Sequence, residues 1–297
     1  MAALTQATAS YVSDETVSVF AFDEFIQTEP VMPALFNQKP SSAYREVMGS
    51  TAALSDFVEK TELSVPDEDT PIQQFKKEYL HTEYALQSKV ERKVIDDALF
   101  PFFEEFGTKI GDSAMRTVEK DAAGVFINAF DTTLTEDGLS LCNNAHLNVD
   151  SGNSQDNLGT SSLDFAAVGT TRQLMRDFTD YRANRINVNP DMLLVPVELE
   201  QTAWEIIRSS GDPTSANNAA NFHQGRYSLV VWGYLTSSVD WFMIDSRMMK
   251  QHLFWFWRMV LEIFGDGELM KGLRSIGGYY RSSRGPRDWR WVFGHNV

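Results

Sequence analysis

The chain carries a single cysteine, Cys142, in 297 residues. That excludes an internal disulfide and any zinc site built from thiolates, and it suits assembly in a reducing compartment. Cys142 itself is expected to be a small packing residue. Basic residues are scarce too: 26 Lys and Arg face 41 Asp and Glu, a formal charge of −15. Tight wrapping of nucleic acid requires concentrated cations, so such a role is disfavoured. His81, His146, His223, His252 and His295 never fall at a ligand spacing such as HExxH, and are expected to be ordinary surface or strand residues without a metal. Neither GxxxxGK[ST] nor GxSxG occurs, so Gly265-Asp266-Gly267 and Gly277-Gly278 read as turns, and no serine stands out as a nucleophile. Long apolar runs are missing as well. Leu253 to Phe264 is too short to span a bilayer and contains Arg258 and Glu262, and Met1 to Ser10 lacks a signal-peptide pattern. The expectation is a soluble chain with no membrane, cofactor, metal or catalytic residues.

What is present is ample core material, 43% hydrophobic and 12% aromatic residues. Charge is unevenly placed. From Arg247 to the end, nine Lys/Arg face four Asp/Glu, whereas residues 1–246 hold 17 basic and 37 acidic ones. An acidic body with a basic end invites pairing between subunits as well as within one.

Residues 1–36 read as an arm, with scattered Phe20, Phe22 and Phe25 and two helix-breaking prolines, Pro30 and Pro33. Ser41 to Pro71 is polar, with short extended pieces at Ala43 to Met48 and Phe57 to Val65, and suits a projecting two-stranded loop. Strict alternation from Leu80 to Val90 predicts a half-buried strand. Extended chain is expected to continue through Phe100, Phe102, Phe103 and Phe106, interrupted by Pro101. Asp112 or Ser113 can cap a helix whose apolar stripe is Met115, Val118, Ala122, Val125, Phe126, Ala129 and Phe130, with Arg116, Glu119 and Lys120 pointing elsewhere.

A second helix is predicted over Leu163 to Tyr181, a strand at Met192 to Val195, and a helix from Pro196 through Ile207. Leu229 to Trp232, Trp241 to Ile244, Leu253 to Phe264 and Trp289 to Phe293 complete the strand expectations, the first two joined through Gly233 to Val239. The body is therefore α+β.

This order of elements, with the phrases ERKVIDDA (Glu91 to Ala98), DMLLVPVELEQTA (Asp191 to Ala203), LTSSVDWFMI (Leu235 to Ile244) and DWRWVFG (Asp288 to Gly294), resembles the tailed-bacteriophage major capsid protein family, of the Hong Kong 97 type. The resemblance runs from about Pro33 to Val297. It implies an N-terminal arm (1–36), an extended E-loop (37–78), a peripheral domain with a long spine helix (79–140 and 248–297) and an axial domain (141–247). It also implies a subunit that self-assembles through pentamers and hexamers into an icosahedral shell enclosing double-stranded DNA without sequence-specific binding. Portal and decoration proteins are implied partners, and a separate scaffold is expected because the arm begins almost at Met1. The place implied is the virion capsid, assembled in the bacterial host cytoplasm. Candidate contacts between subunits are Phe20, Phe22 and Phe25 in the arm, Glu59, Glu62, Asp67, Glu68 and Asp69 at the loop tip, and Arg281, Arg284 and Arg287 in the basic tail.

Two other readings stay open at this level. An encapsulin-type bacterial nanocompartment shell shares the implied fold. An acid/base enzyme would use paired carboxylates such as Asp96-Asp97, although a helix-entry cap explains that pair more simply. Aromatic and basic residues alternate between Tyr279 and Trp291 as in some single-strand binders, but strand aromatics with interfacial arginines are the default expectation.

Overall fold

The computed structural model describes residues 30–51, 54–66, 68–70, 73–91, 101–147, 152, 154–211, 220–268 and 273–297. The arm aromatics Phe20, Phe22 and Phe25, together with Asp67 and the Asp96-Asp97 pair, lie outside them.

Helix α1 (Met32–Leu35) leads into strands β1 (Asn37–Pro40), β2 (Arg45–Thr51), β3 (Gln73–Leu80) and β4 (Thr82–Glu91), then the long helix α2 (Pro101–Ile127). Short strands β5 (His146–Leu147), β6 (Ser154–Gln155) and β7 (Leu158–Gly159) precede α3 (Phe165–Arg176). Next come β8 (Met192–Val195), a 3-10 turn, α4 (Glu200–Arg208), β9 (Ser228–Val231), β10 (Trp241–Ile244) and α5 (Ser246–His252). Strands β11 (Leu253–Glu268), β12 (Leu273–Pro286) and β13 (Val292–His295) end the chain.

Two main sheets result. One has the order β1-β11-β12-β4 and the other β7-β13-β10-β8-β9, while β2 and β3 pair separately as a ribbon. The last strand, β13, runs antiparallel to β10. Chain from beyond residue 248 thus completes a sheet whose other members come from 158–244, and one hydrophobic core joins both sheets. At its centre Phe126 of α2 meets Phe242 at 5.5 Å, Trp232 at 6.0 Å and Trp291 at 6.1 Å, all edge-on, the arrangement that ring quadrupoles favour.

The spine helix is longer than its cap residues suggest. It starts at Pro101, because a proline in the first turn removes no intrahelical bond, and it passes straight through Asp112 and Ser113. Met115, Val118, Ala122, Val125, Phe126 and Ala129 are buried as the spacing predicts. Glu119 is the exception. It does not point outward: it is buried, and its carboxylate accepts from the Met32 N–H at 3.0 Å and from Trp232 Nε1 at 2.9 Å. Burial pushes its carboxyl above the usual carboxylate range.

Asp164 caps α3, accepting from the Ala167 N–H at 2.6 Å, and Asp245 caps α5, accepting from the Met248 N–H at 2.9 Å. Helix α5 escapes a periodicity reading because Ser-Arg-Met-Met-Lys-Gln-His has no apolar stripe. Strands β9 and β10 do not form a hairpin; β8 lies between them, parallel to β9 and antiparallel to β10.

The glycines read as turns are strand residues. Gly265 and Gly267 lie in β11, and Gly277 and Gly278 sit inside β12. A Cβ at Gly277 would fall 2.8 Å from the Leu86 carbonyl, and one at Gly278 would fall 3.2 Å from Ile110, so the pair lets α2 and β4 pack close on the sheet. The histidines also differ from expectation: His81, His146, His223 and His295 are buried and hydrogen-bonded. Cys142 is buried against the Gly294 backbone, as expected of a packing residue.

Candidate assembly surfaces

Strands β2 and β3 pair in antiparallel register from Arg45↔Leu80 to Thr51↔Gln73, with a shift between Gly49 and Thr51. Beyond that ribbon the described part of 54–70 forms neither strand nor helix, so the extended piece expected at Phe57 to Val65 is irregular chain with a turn at Glu62-Leu63. Its apolar side chains find little cover among the described residues. Phe57 is 107% exposed and Leu63 102%, and Leu54, Val58 and Val65 are exposed as well.

One side of this loop is tied down. Asp69 accepts from the Ser55 N–H at 2.7 Å and its hydroxyl at 2.9 Å, and Arg182 grips the same carboxylate with two bonds of 2.8 and 3.0 Å. Arg182 is aimed there by a tight corner. Asp180 Oδ1 accepts from the N–H groups of Arg182 and Asn184, both at 2.8 Å, while Ala183 takes a left-handed φ of 64°. The Ser55 N–H and the Arg182 guanidinium hold the Asp69 carboxyl down to about 2.

Under the loop root lies a buried polar network. Arg290 donates to both oxygens of Asp288, at 3.0 and 2.9 Å, and to the Thr179 carbonyl at 2.8 Å, with its guanidinium 4.0 Å from the Tyr181 ring centroid. Tyr181 donates to Glu136 at 2.9 Å and packs edge-on against Phe75 of β3 at 5.8 Å. Burial pushes the Glu136 carboxyl up. His146 Nδ1 sits 2.6 Å from Asp137 Oδ2, and its ring stacks 4.3 Å from Trp289. The buried charges of Asp288 and Arg290 are tolerated because the two pair with each other.

Of the loop-tip acids named from the sequence, Glu59, Glu62 and Glu68 stand exposed with no ion pair among the described residues, whereas Asp69 is held by Arg182. The tail arginines are engaged within the chain. Arg281 pairs with Glu83 at 3.2 Å, and Arg284 reaches Asp121 at 2.8 Å and the Tyr84 hydroxyl at 3.1 Å. Arg287 uses its backbone, donating to His252 O at 2.7 Å and accepting from the Glu136 N–H at 2.8 Å. Sequence reasoning missed Arg182 and Glu119. The Asp-x-x-x-Asn spacing at 180–184 is the only local signal of the corner that presents Arg182.

Among the described residues no group of three or more His, Cys, Asp or Glu could hold a metal ion, and no helix is long and apolar enough to cross a membrane.

A family model described as phage capsid protein matches residues 76–293. No curated protein matches. Among solved structures, the capsid of an empty GTA particle, computed with C5 symmetry, superposes with a TM-score of 0.58 at 12% identity, covering 90% of this chain and 89% of that one. A chain from Mycobacterium phage Patience gives 0.57 at 11% identity, covering 100% and 91%. One from Microbacterium phage Oxtober96 gives 0.56 at 11%, covering 88% and 86%. At such identities the shared property is the fold.

Proposed function

This chain belongs to the phage capsid protein family and has the Hong Kong 97-type fold, and from that premise we propose that it is the major capsid protein of a tailed phage. It assembles through pentamers and hexamers into an icosahedral shell that encloses double-stranded DNA. The observation that carries this reading is the family match across residues 76–293, which also favours a phage shell over a bacterial nanocompartment.

The surfaces fit the role. A monomer that leaves Phe57 and Leu63 fully in water is incomplete, since exposed apolar clusters rimmed by charge mark protein–protein contacts. Copies of one chain that meet through unlike surfaces close into rings when the rotation permits. The proposed division of labour is an arm at 1–36, an E-loop at 37–78, a peripheral domain at 79–140 with 248–297, and an axial domain at 141–247. The β13–β10 pairing joins the last two, so peripheral and axial parts share one core. A net charge of −15 suits a wall that encloses DNA without adhering to it. Contacts through the arm aromatics Phe20, Phe22 and Phe25, a separate scaffold, portal and decoration proteins, and assembly in the host cytoplasm belong to the same proposal.

Negative-stain electron microscopy and light scattering of the purified chain test it. Closed particles or capsomers are expected. A monomer that persists under every assembly condition overturns the reading.

A further inference from the structure

The spine helix does not close completely on the sheet beneath it. Between α2 and strands β4, β11 and β12 lies a cavity of about 170 Å³, whose walls include Ile110 and Ala114 of the helix, Leu261, Leu86, Tyr84 and Tyr280. Tyr84 and Tyr280 stand opposite each other in register, and their rings stack at 4.8 Å to make one aromatic side. Ile110, Ala114, Leu261 and Tyr280 are buried, while Leu86, 52% exposed, marks the open side. Ala114 leaves room because its side chain ends at Cβ. No Asp, Glu, Lys, Arg or His lines this space.

Size and lining together select an occupant. An ion entering here would give up hydration with no opposite charge to replace it. Water is poorly served as well, since an ordered buried water makes roughly 2–4 hydrogen bonds. Of the hydroxyls around the cavity, that of Thr117 is spent on the Ser113 carbonyl at 2.8 Å, and that of Tyr84 accepts from Arg284 at 3.1 Å. A neutral apolar guest, by contrast, leaves water and gains dispersion contacts on several sides. An engineered apolar cavity of about 150 Å³ in another protein takes up benzene. The 170 Å³ here sets the guest at the same size. Rings pack edge-on or offset against other rings, so the tyrosine pair favours an aromatic guest over an alkyl chain. The structure assigns this cavity as a binding site for one small, neutral aromatic molecule, held between the spine helix and the sheet. Such a guest touches α2 and three strands at once and binds only the folded chain, so it stabilises that chain by mass action. The inference goes beyond the shell-subunit reading and requires only the folded chain.

Fluorobenzene is the probe, titrated into the purified full-length chain and followed by fluorine NMR and by thermal melting. Saturable binding at one site per chain is expected, with a melting temperature raised by roughly 2–4 °C at saturation. Ala114→Leu places a larger side chain in the cavity and should weaken binding at least tenfold and abolish the shift. Where Ala114→Leu does not fold, Ser113→Leu, at a half-buried position on the same wall, takes its place with the same expectation. No saturable binding by the parent chain overturns the inference. Equal binding by the parent and a folded filled variant also overturns it, because the probe would then sit on the exposed apolar loop or elsewhere. Neither result bears on whether the chain builds a shell, which particle formation decides separately.

Discussion

Glu119 and Trp232 lie 113 residues apart, yet the indole N–H donates to the buried carboxylate at 2.9 Å. The other oxygen of that carboxylate accepts from the Met32 N–H, so one side chain of the spine helix ties the first described helix to the chain leaving β9. Substituting Glu119 by Ala leaves two buried donors unpaired, each worth about 1–3 kcal/mol. The expected loss is therefore about 2–6 kcal/mol in denaturant unfolding, with faster hydrogen exchange at Met32–Leu35. An unchanged midpoint would remove Glu119 from this role.

His295 is buried, accepts from the Ser161 N–H at 3.2 Å, contacts the Thr171 hydroxyl at 2.8 Å and stacks 4.1 Å from Trp241. Burial lowers its pKa from 6.5 to about 4. The unfolded chain therefore binds the proton first. Stability from this group is complete above pH 6.5 and declines as pH falls toward 4, by about 3 kcal/mol in all. Burial depresses His252 and His81 in the same direction. Unfolding midpoints measured at pH 7, 5.5 and 4 should fall steadily, and His295→Gln should flatten that slope whatever it costs at pH 7. A slope unaltered by the substitution contradicts the assignment.

Glycine substitutions should split by site. At Gly294 a Cβ would meet Cys142 Sγ at 2.6 Å and the Phe130 and Phe242 rings at 2.9 Å, so Gly294→Ala should destabilise by about 1–3 kcal/mol or more. Gly124, in the spine helix, has only the Asn128 amide near at 3.9 Å, and Gly124→Ala should stabilise by about 0.5–1 kcal/mol. Thermal melts that rank the two variants the other way would refute this packing account.

The Asp69–Arg182 clasp is peripheral to the core, so Arg182→Ala should free the loop without moving the global melting point. Limited trypsin digestion should show faster cleavage after Lys60. Since the Asp69 carboxyl is held down to about 2, the clasp in the parent chain should persist to pH 3. Equal digestion rates for parent and variant would show that the clasp does not restrain the loop.

Periodicity located the elements whose burial is local. The Met115–Ala129 stripe, the Met192–Val195 strand and the strand at Trp241–Ile244 are where apolar spacing puts them. It failed where partners are distant. Strand β12, rich in Gly, Ser and Arg, carries almost no apolar alternation, and it is a strand because β11 and β4 bond it on both sides. Glu119 reads as a surface residue from its charge alone and is drawn inward by two donors that only the fold supplies. The candidate surfaces divide the same way. The acidic loop tip was legible from composition, but the clasp on Asp69 requires the corner at 180–184 to meet the loop.

The sequence by itself determined an acidic α+β chain with ample core material, a long amphipathic helix and an extension too polar to bury itself, because composition and spacing set which surfaces must leave water. Only the tertiary structure decided that Arg281 and Arg284 are neutralised within the subunit, that Asp69 is clasped by Arg182, and that Glu59 and Glu62 have no ion pair among the described residues. Charge pairing depends on separations of a few ångströms between residues far apart in the chain, and no local pattern encodes those separations.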